Sequence, residues 1–465
     1  MLTYSFADLG SDSLYGHLYK CIRNDILKGV LAPGSRLPSK RAFAKNLGIS
    51  TITVENAYQQ LMAEGYLYSV PKKGYFVADI TNEVKAAAAG QPQAVVISPE
   101  EAGCFADFVS NSTNHANFPF ATWARLMRET ISAKSEELLT NPPPGGIREL
   151  REAIADYLFQ FRGMSVSPEQ IIIGAGTEYL YGLLIQLLGR DKIFAVEDPG
   201  YRKIAQVYAS NGVECRYLPL DNFGVEVAAL EASGAQILHT SPSHHFPTGI
   251  ITPISRRYEL LGWAARDDSR YILEDDYDCE FRLLGKPIPA LQSIDQTEKV
   301  IYLNTFTKSL ASTIRISYLV LPPQLLARYY QQLGFYSCTV SNFEQYTLAA
   351  FISQGYFEKH VNRMRTFYHR QRDILLGAIK KSPLASAVEI KEEDAGLHFL
   401  LKIETSLSDE ELIRRARREG VRVSCLSQYY HQTEEAAEHI LIINYSGIES
   451  NRIAEAIARL SRCLR

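Results

Sequence analysis

At 465 residues, with 46% hydrophobic and 22% charged side chains, the chain has a globular composition, which excludes a mainly disordered or coiled-coil state. Single cores stop growing at roughly 250–300 residues, so two or more domains are expected. The net charge of −3 is unevenly spread: residues 1–80 hold nine Lys/Arg and six Asp/Glu, leaving 40 and 46 for the remainder. A mildly basic front ahead of an acidic body suggests a nucleic-acid-facing module joined to a domain of another kind. No apolar run is long enough to span a bilayer, and the amino terminus lacks the basic start and apolar stretch of a signal peptide, so a cytoplasmic protein is expected. Seven scattered cysteines with no C-x-x-C pair fit reduced core residues in that compartment.

From the amino end, Leu14, Leu18, Ile22 and Ile26 recur at four-residue steps and predict a helix from about Ser13 to Lys28-Gly29. Ser39 can cap a short helix running through Asn46 and closed by Gly48. Ser50 can cap a second, whose stripe is Val54, Ala57, Tyr58, Leu61 and Met62 and whose stop is Gly65. Two short helices about a Leu-Gly-Ile-Ser turn make a helix-turn-helix, in which the second helix enters the major groove by its first residues. YLYSV and GYFVAD then read as strands joined by Pro71-Lys72-Lys73-Gly74, a basic tip suited to phosphates or the minor groove.

The run LPSKRAFAKNLGISTITVENAYQQLMAEGYLYSVPKKGYFV closely resembles the winged helix-turn-helix of the GntR superfamily of bacterial regulators. That resemblance implies binding to double-stranded operator DNA by residues 1–80. Ser39 and Arg41 would be contact residues, Thr51 and Thr53 would lie at the groove-facing start of the recognition helix, and Lys72 and Lys73 would sit in the wing. Some relatives carry arginine where this chain has Thr51 and Glu55, which changes the operator sequence expected. Residues 81–104, rich in alanine, glutamine, glycine and proline, read as a semi-flexible linker.

Beyond the linker, apolar runs alternate with amphipathic stretches: IIIG (171–174), KIFAVED (192–198), AQILHT (235–240), RYILEDD (270–276), KVIYLNT (299–305) and SYLVLP (317–322). This alternation predicts an α/β domain with a largely parallel, covered sheet, whose ligands lie beyond the carboxyl ends of the strands. The residues after those runs are chemically consistent. Gly176 and Thr177 open a helix whose free N–H groups favour phosphate. Tyr201 brings an aromatic ring, Asp275 a carboxylate, Tyr277 a phenol, Thr305 and Thr307 hydroxyls, and Arg315 a cation. Lys308, in TFTKSL, sits between segments apolar enough to be buried strands. It is therefore either solvated at a strand end or depressed in pKa and chemically used. Taken in order, the set suits pyridoxal 5′-phosphate (PLP), which needs an amine, an acid opposite its pyridine nitrogen, a donor for its 3-oxygen and a phosphate cup.

From residue 105 to 465 the chain resembles the fold-type I aminotransferases, in NPPPGGIRELREAIADYL, GAGTEYL, EDPGYRK, SPSHHFPTGIITPISRR, ILEDDYDCEFR and TFTKSLASTIRISYLV. Joined to the winged helix, it resembles MocR/GabR-type regulators. The resemblance implies a mostly parallel sheet with a smaller carboxyl-terminal α/β subdomain and a head-to-tail homodimer. Lys308 would be the Schiff-base lysine, Asp275 the pyridine partner, Tyr277 the 3-oxygen donor and Tyr201 the stacking ring. Gly176, Thr177, Thr305, Thr307 and Arg315 would form the phosphate site, and no metal is called for.

Three departures shape the functional expectation. Phe246 stands where aminotransferases have the asparagine of Asn-Pro-x-Gly, and Ile442 stands two residues before Asn444 where they carry a carboxylate-gripping arginine. His245 replaces a glutamine and is expected to alter contact to an effector amine. The expectation is a transcription regulator that senses PLP or an amine effector through Lys308, controlling vitamin B6 or amino-compound metabolism. The missing arginine favours PLP itself as the signal. The alternative is an active aminotransferase carrying a DNA-binding module.

Overall fold

The computed structural model describes residues 2–6, 12–80, 104–110, 117–282, 288–391, 396–432 and 436–463. The chain divides into two compact units, Met1–Glu100 and Glu101–Arg465. The linker expected over 81–104 lies, except for Cys104, outside the described residues.

In the first unit, helix α1 (Leu14–Leu27) is capped by Ser13 and buries Leu18, Tyr19, Ile22 and Ile26. Leu14, expected on the same stripe, is 42% exposed because it lies in the first turn, beyond the residues that the core packs. Strand β1 (Arg36–Leu37) leads into α2 (Lys40–Leu47), which ends at Gly48 with a φ of 66°, the left-handed conformation a helix stop requires. Helix α3 (Thr51–Ala63) buries Val54, Ala57, Tyr58 and Leu61 against α1. Strands β2 (Leu67–Val70) and β3 (Gly74–Val77) form the expected hairpin, and β1, too short to be visible in the sequence, adds to β3 to complete an antiparallel sheet in the order β1-β3-β2. This is a winged helix-turn-helix.

In the second unit, β4 (Ala106–Asp107) pairs with Val421–Arg422, and α4 (Phe120–Ala133), α5 (Ser135–Leu138) and α6 (Arg148–Arg162) precede the main sheet. All six expected strands form: β5 (Ile171–Gly174), β6 (Ile193–Asp198), β9 (Ile237–Thr240), β10 (Tyr271–Asp275), β11 (Val300–Thr305) and β12 (Ser317–Val320). Two more, β7 (Glu214–Asp221) and β8 (Gly224–Val225), extend the edge. The order is β5-β12-β11-β10-β9-β6-β7-β8. Pairings from β11 through β7 are parallel, whereas β12 runs antiparallel to both its neighbours. Helices α7 (Thr177–Leu188) and α8 (Arg202–Ser210) follow β5 and β6. Apolar clusters cover both faces of the sheet, which is why its central strands read as continuous apolar runs. A second antiparallel sheet, made of Val388–Lys391, His398–Ile403, Ile440–Asn444 and Ser424–Cys425, forms the smaller carboxyl-terminal subdomain.

Candidate functional site

On the winged helix, the expected contact residues divide by environment. Arg41, Thr51, Lys72 and Lys73 are exposed, and Lys72 takes a φ of 64° at the wing tip. Ser39 is exposed but also caps α2, its Oγ accepting the Ala42 N–H at 3.3 Å. Thr53 is half-buried. Its N–H donates to Ser50 Oγ at 3.1 Å and its hydroxyl lies 2.8 Å from the same oxygen, so the cap engages it. The sequence reading missed two features of this face. Lys40 of α2 forms an ion pair with Glu55 of α3, and Ile52, in the first turn of α3, is 69% exposed.

In the larger unit, a cavity of about 500 Å³ opens at the carboxyl ends of the strands. It is lined by eight of the nine expected site residues: Thr177, Tyr201, Asp275, Tyr277, Thr305, Thr307, Lys308 and Arg315. The ninth, Gly176, caps α7 with a φ of 92°, and a Cβ there would sit 2.4 Å from Arg315 Nη2, so only glycine lets the guanidinium approach this turn.

Lys308 follows β11 and is 7% exposed. Burial pushes its pKa from 10.5 down to about 7, and the nearby Asp278 carboxylate partly opposes the shift. Asp275 closes β10 at 5% exposure. Its Oδ2 accepts the Tyr181 O–H at 2.5 Å and lies 3.5 Å from His239 Nε2, while Tyr208 O–H reaches His239 Nδ1 at 2.6 Å. Its Oδ1 is buried and has no hydrogen-bond partner among the described residues. A buried carboxylate oxygen left unpaired costs free energy unless a donor arrives, so Asp275 is built to receive one.

Tyr277 O–H is 3.3 Å from His244 Nδ1, which in turn lies 2.8 Å from Asp278 Oδ2. Hydroxyls meet at the turn after β11: Thr305 Oγ1 is 2.8 Å from both Thr307 Oγ1 and Ser317 Oγ. Arg315 lies beside the first turn of α7, where its guanidinium and the Lys203 ammonium both engage the Glu178 carboxylate. Tyr201, 43% exposed, stands at the mouth and meets Phe246 edge to face at 5.8 Å.

The sequence reading missed Tyr181, Tyr208, His239, Ser317 and Glu178. A polar His239 inside the apolar run AQILHT was the one local signal, since β9 sets it beside Leu273 of β10. His245 does not meet the cavity as expected. Its Nδ1 lies 2.6 Å from Thr248 Oγ1 and its Nε2 3.4 Å from Glu197 Oε2, and burial pushes its pKa down to about 3. Glu197 lines the cavity in its place. It accepts the Thr240 O–H at 2.6 Å and the Ser241 N–H at 3.1 Å, and burial raises its pKa to about 8.

The small subdomain also reaches this cavity. Asp198 accepts the backbone N–H groups of His431 and Gln432 at 2.8 and 3.4 Å, and the Gly200 N–H donates to the Tyr429 carbonyl at 3.2 Å. Tyr429 and His431 thereby form part of its wall. Ile442 is buried in an apolar cluster with Leu400 and Leu426, against which Phe246 and Tyr429 pack.

Comparison with known proteins bears on both units. A family model described as aminotransferase class I and II matches residues 108–460, and one for bacterial regulatory proteins of the gntR family matches residues 14–77. The chain is 36% identical over 447 residues to an uncharacterized HTH-type transcriptional regulator, YdeL, of Bacillus subtilis, covering 96% of each. It is 33% identical over 465 residues to the probable rhizopine catabolism regulatory protein MocR of Rhizobium meliloti, covering 96% of this chain and 93% of that one. Among solved structures, kynurenine aminotransferase of Pyrococcus horikoshii, crystallised with PMP, superposes with a TM-score of 0.68 at 24% identity, covering 78% of this chain and 91% of that one.

Proposed function

The chain belongs to the MocR/GabR-type bacterial transcription regulators, in which a GntR winged helix-turn-helix precedes an aminotransferase class I and II domain, and from that premise we propose that it binds PLP at Lys308 and uses the bound state to set its grip on operator DNA. The observation that carries this reading is the pairing, in one cavity, of a lysine depressed to about 7 with an aspartate whose buried Oδ1 has no partner among the described residues.

The residues present fit the cofactor. PLP, when bound, supplies an aldehyde open to attack by an amine and an electron-withdrawing ring. Lys308 would bring the neutral amine. Asp275 would hold a proton at the ring nitrogen, kept in place by Tyr181 and His239. Tyr277 would donate to the 3-oxygen and Tyr201 would cover the ring. The N–H groups opening α7, with Thr177, Thr305, Thr307 and Arg315, would hold the phosphate.

Two further features favour sensing over turnover. Phe246 has no amide to tune the 3-oxygen, and Ile442 sits within an apolar cluster where a carboxylate would find no ion pair. We read the protein as a homodimer working in the cytoplasm, with Ser39, Arg41, Thr51, Thr53, Lys72 and Lys73 on the duplex and Ile52 placed for apolar contact with a base edge. Coupling between cofactor state and DNA requires only a differential affinity of about 1–3 kcal/mol.

The test is an absorbance scan after adding PLP and removing the excess by gel filtration. A near-ultraviolet-to-visible band that stays with the wild-type protein and is lost in Lys308→Ala supports the reading. A protein that emerges with no such band overturns it.

A further inference from the structure

The cavity is larger than one phosphorylated pyridine ring requires, so the walls that the cofactor leaves uncovered bear on what else enters. Of the lining residues, those not assigned above to the cofactor include Phe246, Tyr429, Tyr217 and His431. Phe246 meets Tyr429 edge to face at 5.3 Å, and His431 stacks on Tyr217 at 3.5 Å with the rings 9° from parallel. Behind Phe246 and Tyr429 lie Leu400, Leu426 and Ile442, so this side of the cavity is apolar in depth.

Two of the lining cations already engage a carboxylate. Lys203 and Arg315 share Glu178, and Arg202 donates to the Tyr430 carbonyl at 3.1 Å. Three lining cations, Arg202, Lys203 and Arg315, face three lining carboxylates, Glu178, Asp198 and Asp275. Glu197, raised to about 8, is mostly neutral at physiological pH, as is much of Lys308. A phosphate monoester adds between one and two negative charges. Set against the one proton that the ring nitrogen would carry opposite Asp275, it leaves the loaded cavity with a small excess of negative charge, and none of the lining cations belongs to the apolar cluster of Phe246 and Tyr429.

Resting on the PLP reading above, we infer that the ligand taken up beside the cofactor is a primary amine with an apolar or aromatic body and no carboxylate, its ammonium drawn by the excess negative charge and its body packed on Phe246 and Tyr429. An amino acid of the same skeleton would bring a carboxylate into a wall of rings and aliphatic side chains, where it must be desolvated without a partner. A site that leaves a polar group unpaired rejects its bearer by roughly tenfold or more.

Matched pairs test this. The PLP-loaded, full-length protein is titrated calorimetrically with pentylamine against norleucine and 5-aminopentanoate, and with 2-phenylethylamine against phenylalanine. The absorbance band is recorded first. Its absence would count against the PLP reading, and the titrations are interpreted only on protein that carries it. The amine of each pair is expected to bind at least tenfold more tightly than its acid counterparts, and Tyr429→Ala, or Phe246→Leu should that variant misfold, is expected to weaken the amine severalfold. Equal or tighter binding of either acid class, or no amine binding by band-carrying protein, overturns the inference while leaving the cofactor reading intact.

Discussion

The Lys308 amine yields a quantitative expectation. It is 7% exposed, and burial moves its pKa from 10.5 to about 7. At 1.36 kcal/mol per unit, that is about 5 kcal/mol in favour of the neutral form. At pH 7.5, roughly three quarters of Lys308 side chains would be neutral, against roughly one in a thousand for an ordinary lysine, a several-hundredfold enrichment in nucleophile. The sign follows from the cause: burial penalises the ammonium, so the reactive form grows in as pH rises through about 7 rather than through 10.5. Trace acetylation of ligand-free protein, with each lysine peptide normalised to its own plateau by mass spectrometry, measures this without regard to how fast the reagent reaches the site. Lys308 labelling is expected to reach half its maximum near pH 7, while a free model lysine peptide added as an internal standard is still rising at high pH. Asp278→Asn, by removing the carboxylate that partly stabilises the ammonium, is expected to lower the Lys308 midpoint further. A midpoint near that of the model peptide would refute the reasoning that the fold itself primes this amine.

Asp275→Asn replaces the acceptor at the ring nitrogen with a neutral amide and should weaken PLP retention by roughly tenfold or more, read by equilibrium dialysis; unchanged retention would remove Asp275 from the site. Glu178→Gln takes away the carboxylate that engages both Arg315 and Lys203, and because this pair is partly exposed the gain should be modest, a severalfold tighter binding of inorganic phosphate and of PLP. Weaker binding in that variant would show that Glu178 supports the phosphate cup and does not compete for it. Arg41→Ala should cost about 1–3 kcal/mol in DNA affinity at fixed salt, and a gel shift indistinguishable from wild type would discard it as a contact.

Both domain types were legible because their signals are local. Ser39, Gly48 and Ser50 mark helix ends through caps and a left-handed stop. The six main strands announced themselves because sheet faces covered on both sides demand unbroken apolar runs. Strand β7 escaped notice because, flanked on its outer side only by the two-residue β8, all but one of its residues are exposed or half-exposed, so its apolar residues are diluted by Glu214, Arg216 and Asp221. The antiparallel direction of β12 is set by the short stretch 306–316, which cannot hold a crossover helix and instead carries Lys308. The site residues that follow strands could be found by that position alone. Tyr181 and Tyr208, reaching Asp275 and His239 from helices that pack on the sheet, could not, since nothing in their own segments distinguishes them from core tyrosines. Glu178 reads as an ordinary first-turn acid until Arg315 and Lys203 are seen beside it. Tyr429 and His431 come from the other subdomain, held at the cavity by the Asp198 carboxylate, a contact that spans more than two hundred residues of sequence.

Chemistry at Lys308 is proposed to change the grip on DNA. Fluorescence anisotropy with a duplex selected by the protein from a random library, at one salt concentration with and without PLP, tests that claim most directly. Wild-type affinity is expected to change at least fivefold on adding PLP while Lys308→Ala shows no change. An equal shift in both proteins, or none in wild-type protein that carries the absorbance band, would contradict it.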